Sequence, residues 1–328
     1  MDKPVPIAID DVVKRIQDLP SLSAVVLVAA VGILPVTPAV RWATLLLAGL
    51  SWPVAYALKL GQVGPLLLFL FALAWRMLDR TLFLGSAGAL GAIVKIQPGI
   101  VLAWAMLTRR WGAVALGFLV LIAAAVAATA VAGGPSIWFD YVALLRNVSD
   151  PITTPHNFTP GSVAHQMGVP IGLASGIQIG SSVLAAVLVA FAAMRLRADV
   201  SLLIAIVASQ LLSPILWDHY GLFLLLPVAW LLERRRRWAV AIPLSTSVLL
   251  LPFALPAIVV PIGFWVTLLA LLSIGWRERA SDLRAEQVST SRGTFSVPAI
   301  TVEREDAGAT SGSQVEQAGQ VRHTHERF

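Results

Sequence analysis

Eleven apolar stretches follow one another along the chain, at 21–40, 42–58, 61–75, 81–96, 99–108, 111–132, 177–194, 200–217, 221–232, 238–255 and 257–276, with short Arg-bearing breaks between many of them. A helix needs about 20 apolar residues to cross a hydrocarbon core of roughly 30 Å. In lipid, only backbone that satisfies its own hydrogen bonds can span. The pattern therefore predicts an all-α, polytopic transmembrane bundle of about 10–11 spans, some of them short or re-entrant. Composition agrees, at 57% hydrophobic and 13% charged residues, against roughly 45–50% apolar and 25% charged in soluble domains. That balance excludes an ordinary soluble enzyme and a disordered protein. The absence of Cys removes disulfides, thiolate metal sites and thiol nucleophiles from consideration.

The net charge of +6 does not indicate nucleic acid, because the basic residues sit at the ends of apolar runs, with no basic surface between aromatics. They are topology signals. Arg76 and Arg80, Arg109 and Arg110, Arg195 and Arg197, the four arginines at 234–237, and Arg277 with Arg279 all fall at alternate helix ends. Those ends are assigned to the cytoplasm. Gly61-Gln62, Lys95 to Pro98, the loop 133–176 and Asp218-His219-Tyr220 then face the exterior, and by the same parity so does Met1. Arg outnumbers Lys, which occurs only at Lys3, Lys14, Lys59 and Lys95. That bias fits a GC-rich bacterial genome, and a plasma-membrane location follows.

Three segments are delimited in this way. Residues 1–20 form a polar N-terminal segment with four Asp and three basic residues and no signal-peptide pattern. Residues 21–276 form the transmembrane domain. Residues 277–328, rich in Ser, Thr, Gly, Glu and Gln, carry seven basic and eight acidic residues, too few apolar groups to offset chain entropy, and are expected to be a disordered cytoplasmic tail. His323 and His325 in it are read as solvated, and no metal site is predicted.

Chemistry is expected where the spans are too short. Only 28 residues separate Arg80 from Arg109, whereas a return trip through the membrane needs about 40. The hairpin must dip, with Lys95-Ile96-Gln97-Pro98-Gly99 at its tip. Pro and Gly stop the helix there, and non-helical backbone at membrane depth has to line a cavity or be buried in protein. Likewise, only 12 residues separate Tyr220 from Glu233, which draws Asp218 and His219 below the outer surface. Ionisable groups at that depth mark functional sites by default, although an interfacial Asp–His pair or a snorkelling Lys95 is the plainer alternative. In the loop 133–176, residues 138–145 read as an amphipathic surface helix. His156-Asn157 offers hydrogen bonds suited to a sugar, though exposed loop residues are more often simply solvated. No Walker loop, dinucleotide fingerprint, HExxH or GxSxG occurs, so no cofactor is predicted and the substrate must be available at the membrane.

Leu60-Gly-Gln-Val, the stretch 88–94 leading into Lys95-Ile-Gln-Pro, Arg109-Arg-Trp, His156-Asn157 and Leu212-Ser-Pro-Ile-Leu-Trp-Asp-His-Tyr together resemble the polyprenol-phosphate-mannose-dependent alpha-(1,2)-mannosyltransferases of actinobacteria, integral membrane enzymes of the GT-C class. The resemblance runs from about 42 to 276. It implies a cavity facing the exterior, a polyprenyl-phosphate mannose donor, and inverting transfer to a glycolipid or lipoglycan. By position it implies that Lys59, Gln62, Lys95, Gln97, His156 and Asn157 bind substrate and that His219 and Asp218 are catalytic. It further implies a catalytic carboxylate in a first exterior loop ahead of the matched region, so the chain is expected to lack the N-terminal part of the family pattern. Asp10 and Asp11 are not mapped onto that carboxylate. A lipid-sugar flippase or transporter, or an inactive truncated homologue, are the competing readings.

Overall fold

A computed structural model of the chain describes residues 9–146, 150–250 and 256–293, with side chains described for 21–144, 150–250 and 256–285. Among the described residues there are 14 α-helices and no β-strand. In order they are α1 (Ile9–Gly32), α2 (Pro38–Leu50), α3 (Trp52–Lys59), α4 (Gly64–Arg76), α5 (Thr81–Val94), α6 (Ile100–Leu107), α7 (Trp111–Val131), α8 (Ser136–Arg146), α9 (Pro160–Gln166), α10 (Ile171–Arg195), α11 (Ala198–Leu211), α12 (Leu225–Glu233), α13 (Ala241–Leu244) and α14 (Val259–Gly293). Residues up to Leu283 form one compact unit, and a second begins at Arg284, described only over 284–293, where it is helical.

Among the described residues, three helices are long and apolar enough to cross a membrane by length and composition, at Trp111–Val131, Ile171–Arg195 and Val259–Ala285. The other apolar helices are shorter, and α2, α4, α5 and α11 have 13 or 14 residues, about 20 Å each at 1.5 Å per residue. Proline starts several of them, at Pro38, Pro53, Pro65 and Pro160, where its missing amide would have had no helical partner.

Burial sorts the helices. Every residue of α11 from Val200 to Leu211 is buried, and its hydroxyls and the Gln210 amide nitrogen are paired inside the protein: Trp104 donates its indole N–H to Ser201, Ser209 donates to the Ile206 carbonyl, and Gln210 Nε2 donates to Ser209, while Gln210 Oε1 has no partner among the described residues. α7 and α10 are the reverse. Phe118, Leu119, Ile122 and Val126 on α7, with Ile179, Val183, Leu184 and Val187 on α10, are exposed, and an apolar surface of this kind suits a membrane or a protein partner. Small residues let backbones close in at the packed faces. A Cβ on Gly85 of α5 would lie 2.5 Å from the Ala113 carbonyl oxygen, and one on Gly117 of α7 would lie 2.5 Å from Leu102 Cδ2.

The arginine-bearing breaks gather at one end of the bundle. Arg76 donates to the Ile33 carbonyl, Arg110 to the Leu78 carbonyl and to Asp79, and Arg234 reaches both Asp199 and Glu278. Arg109, Arg110, Met194, Leu196 and Ala198 line one cleft there. The hairpin tips at 60–63, 95–99 and 212–221 form the other end, because α5 and α11 each run from the arginine end to the tips.

Several apolar stretches are interrupted. The run 42–58 breaks at Ser51, which pairs with Ser247 in an isolated antiparallel bridge: Trp52 N–H donates to the Thr246 carbonyl, and Ser247 Oγ donates to the Leu50 carbonyl. The run 200–217 is helical only to Leu211. The run 238–255 yields α13 and short 3-10 turns that come back onto Ser51, with residues 251–255 outside the described ones. Helix α14 continues past Trp276 to Gly293, so the expected tail opens as a helix, and residues 294–328, with His323 and His325, lie outside the described residues. The polar segment 1–20 is helical from Ile9. In the long loop, α8 stands where a surface helix is predicted at 138–145.

Candidate active site

Gly64 and Gly221 bring the tips together. A Cβ at Gly64 would lie 2.6 Å from Leu222 Cδ2, and one at Gly221 would lie 2.8 Å from Pro53 Cγ, so the 3-10 helix Asp218–Leu224 lies directly against α3 and the start of α4. A 3-10 helix has three residues per turn, and successive side chains diverge by about 120°. Asp218 is thereby turned toward one cavity, while His219 and Tyr220 line another.

His219 turns into a pocket of about 330 Å³ lined by Tyr56, Leu60, Gln62, Lys95, Trp217 and Tyr220. Its ring is held by aromatics: Trp217 stacks at 6.4 Å, Tyr56 lies at 6.2 Å, and Tyr220 packs edge-on at 4.6 Å. The side chain is only 7% exposed, and its Nδ1, 3.7 Å from Asp218 Oδ1, makes no hydrogen bond among the described residues. A buried nitrogen without a partner is costly unless something else meets it. Lys95 enters the same pocket, its Nζ 3.9 Å from the centre of the Tyr220 ring, a cation–π contact that holds the ammonium without neutralising it.

Asp218 faces the other way. Trp52 donates its indole N–H to Oδ2 at 3.1 Å, and the His219 backbone N–H donates to Oδ1 at 2.8 Å. The carboxylate lines a second, mainly apolar cavity of about 210 Å³, bounded by the 245–250 turn, α13 and the start of α14. The two cavities thus meet at a single peptide step, with a carboxylate on one side and a cation with an imidazole on the other.

The remaining predicted site residues are placed differently. Gln97 donates to Ser213 Oγ at 2.6 Å, bracing the two tips against each other. Lys59, in the last turn of α3, is exposed and lines neither cavity. His156 is exposed, at φ +57°, and also lines neither. Asn157 is wholly buried and saturated: it donates to the carbonyls of Pro151 and Pro214 and accepts from the amides of Thr159 and Leu216. Its side chain ties the long loop to the 213–217 strap and has no hydrogen bond left for a sugar. Trp52 and Tyr56, stacked at 5.1 Å, complete the site without having been singled out in the sequence; their i, i+4 spacing on one short helix is the signal that would have found them.

Among the described residues no group of His, Asp and Glu could hold a metal ion. No curated protein and no solved structure matches the chain. The sequence model of glycosyltransferase family 87, a membrane family of the GT-C type, matches residues 19–216. That stretch is more than half of the chain and takes in Gln62, Lys95, Gln97 and the Asn157 brace, ending just before Trp217-Asp218-His219. Helical architecture and family match agree, and the chain belongs to glycosyltransferase family 87, as a membrane glycosyltransferase.

Proposed function

We propose that the chain transfers mannose from a polyprenyl-phosphate carrier to a hydroxyl of a glycolipid or lipoglycan at the exterior face of a bacterial plasma membrane, its arginine-rich end being cytoplasmic. The observation that carries this reading is the convergence of Lys95, Gln62 and the ring of His219 in one pocket at the end away from the arginines. An ammonium that is not ion-paired, beside an amide and a ring nitrogen, suits a phosphate that gains charge as a sugar leaves it. A lipid-borne donor reaches such a pocket from the bilayer.

The reaction is a displacement at the anomeric carbon. The acceptor oxygen bonds to that carbon as the bond to the phosphate oxygen breaks, the electron pair leaves with the polyprenyl phosphate, and the configuration inverts. Lys95 and Gln62 meet the charge on the departing phosphate. Asp218, ionised and held by two N–H donors, takes the hydroxyl proton. The test is transfer from radiolabelled polyprenyl-phosphate mannose in proteoliposomes, comparing the wild type with His219→Ala. Loss of transfer in a variant that remains in the membrane is expected. An unaltered rate for His219→Ala would overturn the site, and inactivity of the wild type with mannose but not with another polyprenyl-phosphate sugar would overturn the donor.

A further inference from the structure

We infer that the cavity on the Asp218 side binds an uncharged, hydroxyl-bearing amphiphile, headgroup toward Asp218 and apolar chain toward α14, and so is the acceptor site. This rests on the reading above, which places the phosphate in the other cavity. The argument is one of hydrogen-bond polarity. At the polar end of the cavity stand Asp218, Ser245, Thr246 and Ser247. Each of the three hydroxyls already spends its proton on a backbone carbonyl: Ser245 on Ile242, Thr246 on Pro243, and Ser247 on Leu50. What they turn to a ligand is lone pairs, beside a carboxylate that can only accept. A wall of acceptors repels phosphate, carboxylate and sulfate and is complemented by hydroxyl groups. The rest of the lining, including Val260 and Phe264, is apolar and suits a hydrocarbon chain.

The sequence supplies a clean way to fill this space. Gly263 lines the cavity on α14, and a Cβ there would meet only Leu224 Cδ1, at an ordinary 3.9 Å. A larger side chain at 263 therefore occupies the cavity without forcing the helix aside. Val260, one turn earlier, offers a second position. Gly180 on α10 has open space around its Cβ and serves as a control.

The experiment uses the full chain in phosphatidylcholine nanodiscs and dodecyl mannoside carrying a diazirine at the chain end, with cross-linked peptides located by mass spectrometry. Labelling of α14 around Val260 and Phe264 is expected, competed by unlabelled dodecyl mannoside but not by dodecyl phosphate. It should fall about tenfold or more in Gly263→Leu or Val260→Phe and be unchanged in Gly180→Leu. Labelling elsewhere, equal competition by dodecyl phosphate, or indifference to both filling substitutions would overturn the inference. Because labelling needs no turnover, the two readings fail separately. Labelled but inactive protein would leave the cavity assignment standing against the proposed reaction, whereas active protein without labelling would do the reverse.

Discussion

Asn157 and Leu216 stand 59 positions apart, yet the Leu216 amide donates to Asn157 Oδ1 at 2.9 Å while the Phe158 amide donates back to the Leu216 carbonyl at 2.8 Å. This two-way tie holds the segment leading into Trp217-Asp218-His219 against the long loop. Replacing Asn157 with Ala strands the buried amides of Thr159 and Leu216, each worth about 1–3 kcal/mol when left unmet, whereas the Pro151 carbonyl keeps the Ser162 hydroxyl and Pro214 is exposed. We expect Asn157→Ala to lower the melting temperature in detergent, with transfer lost in proportion to the unfolded fraction and KM for both substrates unchanged at temperatures where the protein is folded. A raised KM at unchanged stability would return Asn157 to a sugar-binding role.

Lys95→Gln removes the only lysine charge in the His219 pocket while keeping a polar side chain of similar length. If the ammonium meets charge developing on the departing phosphate, kcat should fall about 10²–10³-fold, the usual cost of losing one such contact. Gln97→Ala, which removes a brace between tips and leaves the pocket lining intact, should cost far less. Steady-state rates across donor concentrations separate the two. Equal losses would mean that Lys95 acts only by positioning.

These two residues also show what a sequence of this kind discloses. The meeting of Lys95 and His219 follows from counting residues, since spans too short to cross must dip and their tips must meet. The same count puts Gln97 and Asp218 in that pocket, which they do not line, and Gln62 comes only from the family resemblance. The helical class and the collection of arginines at one end come from the same arithmetic. Adjacency in sequence does not disclose that Asp218 and His219 line different cavities, although Nδ1 and Oδ1 stay 3.7 Å apart. Asn157 reads as a sugar ligand, or else a solvated loop residue, until its partners at 151, 159, 214 and 216 are known. The break at Ser51 has a local marker in Pro53, which cannot continue a helix, but nothing nearby discloses that Ser51 pairs with Ser247, 196 positions away.

Helix contact through glycine sets the spacing of α5 and α7. A Cβ on Gly85 would drive into the Ala113 backbone, which cannot rotate away, whereas one on Gly117 would meet the end of the Leu102 side chain, which can. Gly85→Ala should therefore be the more damaging of two alanine substitutions despite its better helix propensity, costing about 1–3 kcal/mol by overpacking. Thermal melting in a single detergent checks the order. Equal or reversed melting temperatures would show that the two helices adjust by sliding.

At the arginine end, Arg234 stacks 3.6 Å over the Trp230 ring and pairs with Glu278 at 2.7 Å and Asp199 at 3.3 Å, joining α11, α12 and α14. Arg234→Met takes the cation from between two carboxylates, leaving Glu278 without its ion-pair partner and Asp199 with the Arg197 guanidinium alone, at 3.5 Å. Removing one partner of an ion pair costs more than the pair contributes, because the remaining charge keeps its desolvation penalty. The guanidinium is 23% exposed, so the expected loss is about 1–3 kcal/mol, below the fully buried range. Adding Asp199→Asn and Glu278→Gln to Arg234→Met should recover most of that loss. Since the cluster lies at the end away from Lys95 and His219, transfer by the folded Arg234→Met protein should stay within about twofold of wild type. Melting curves and initial rates for the single and triple variants decide it: a triple variant no more stable than Arg234→Met would show that stacking on Trp230, and not charge balance, holds these helices.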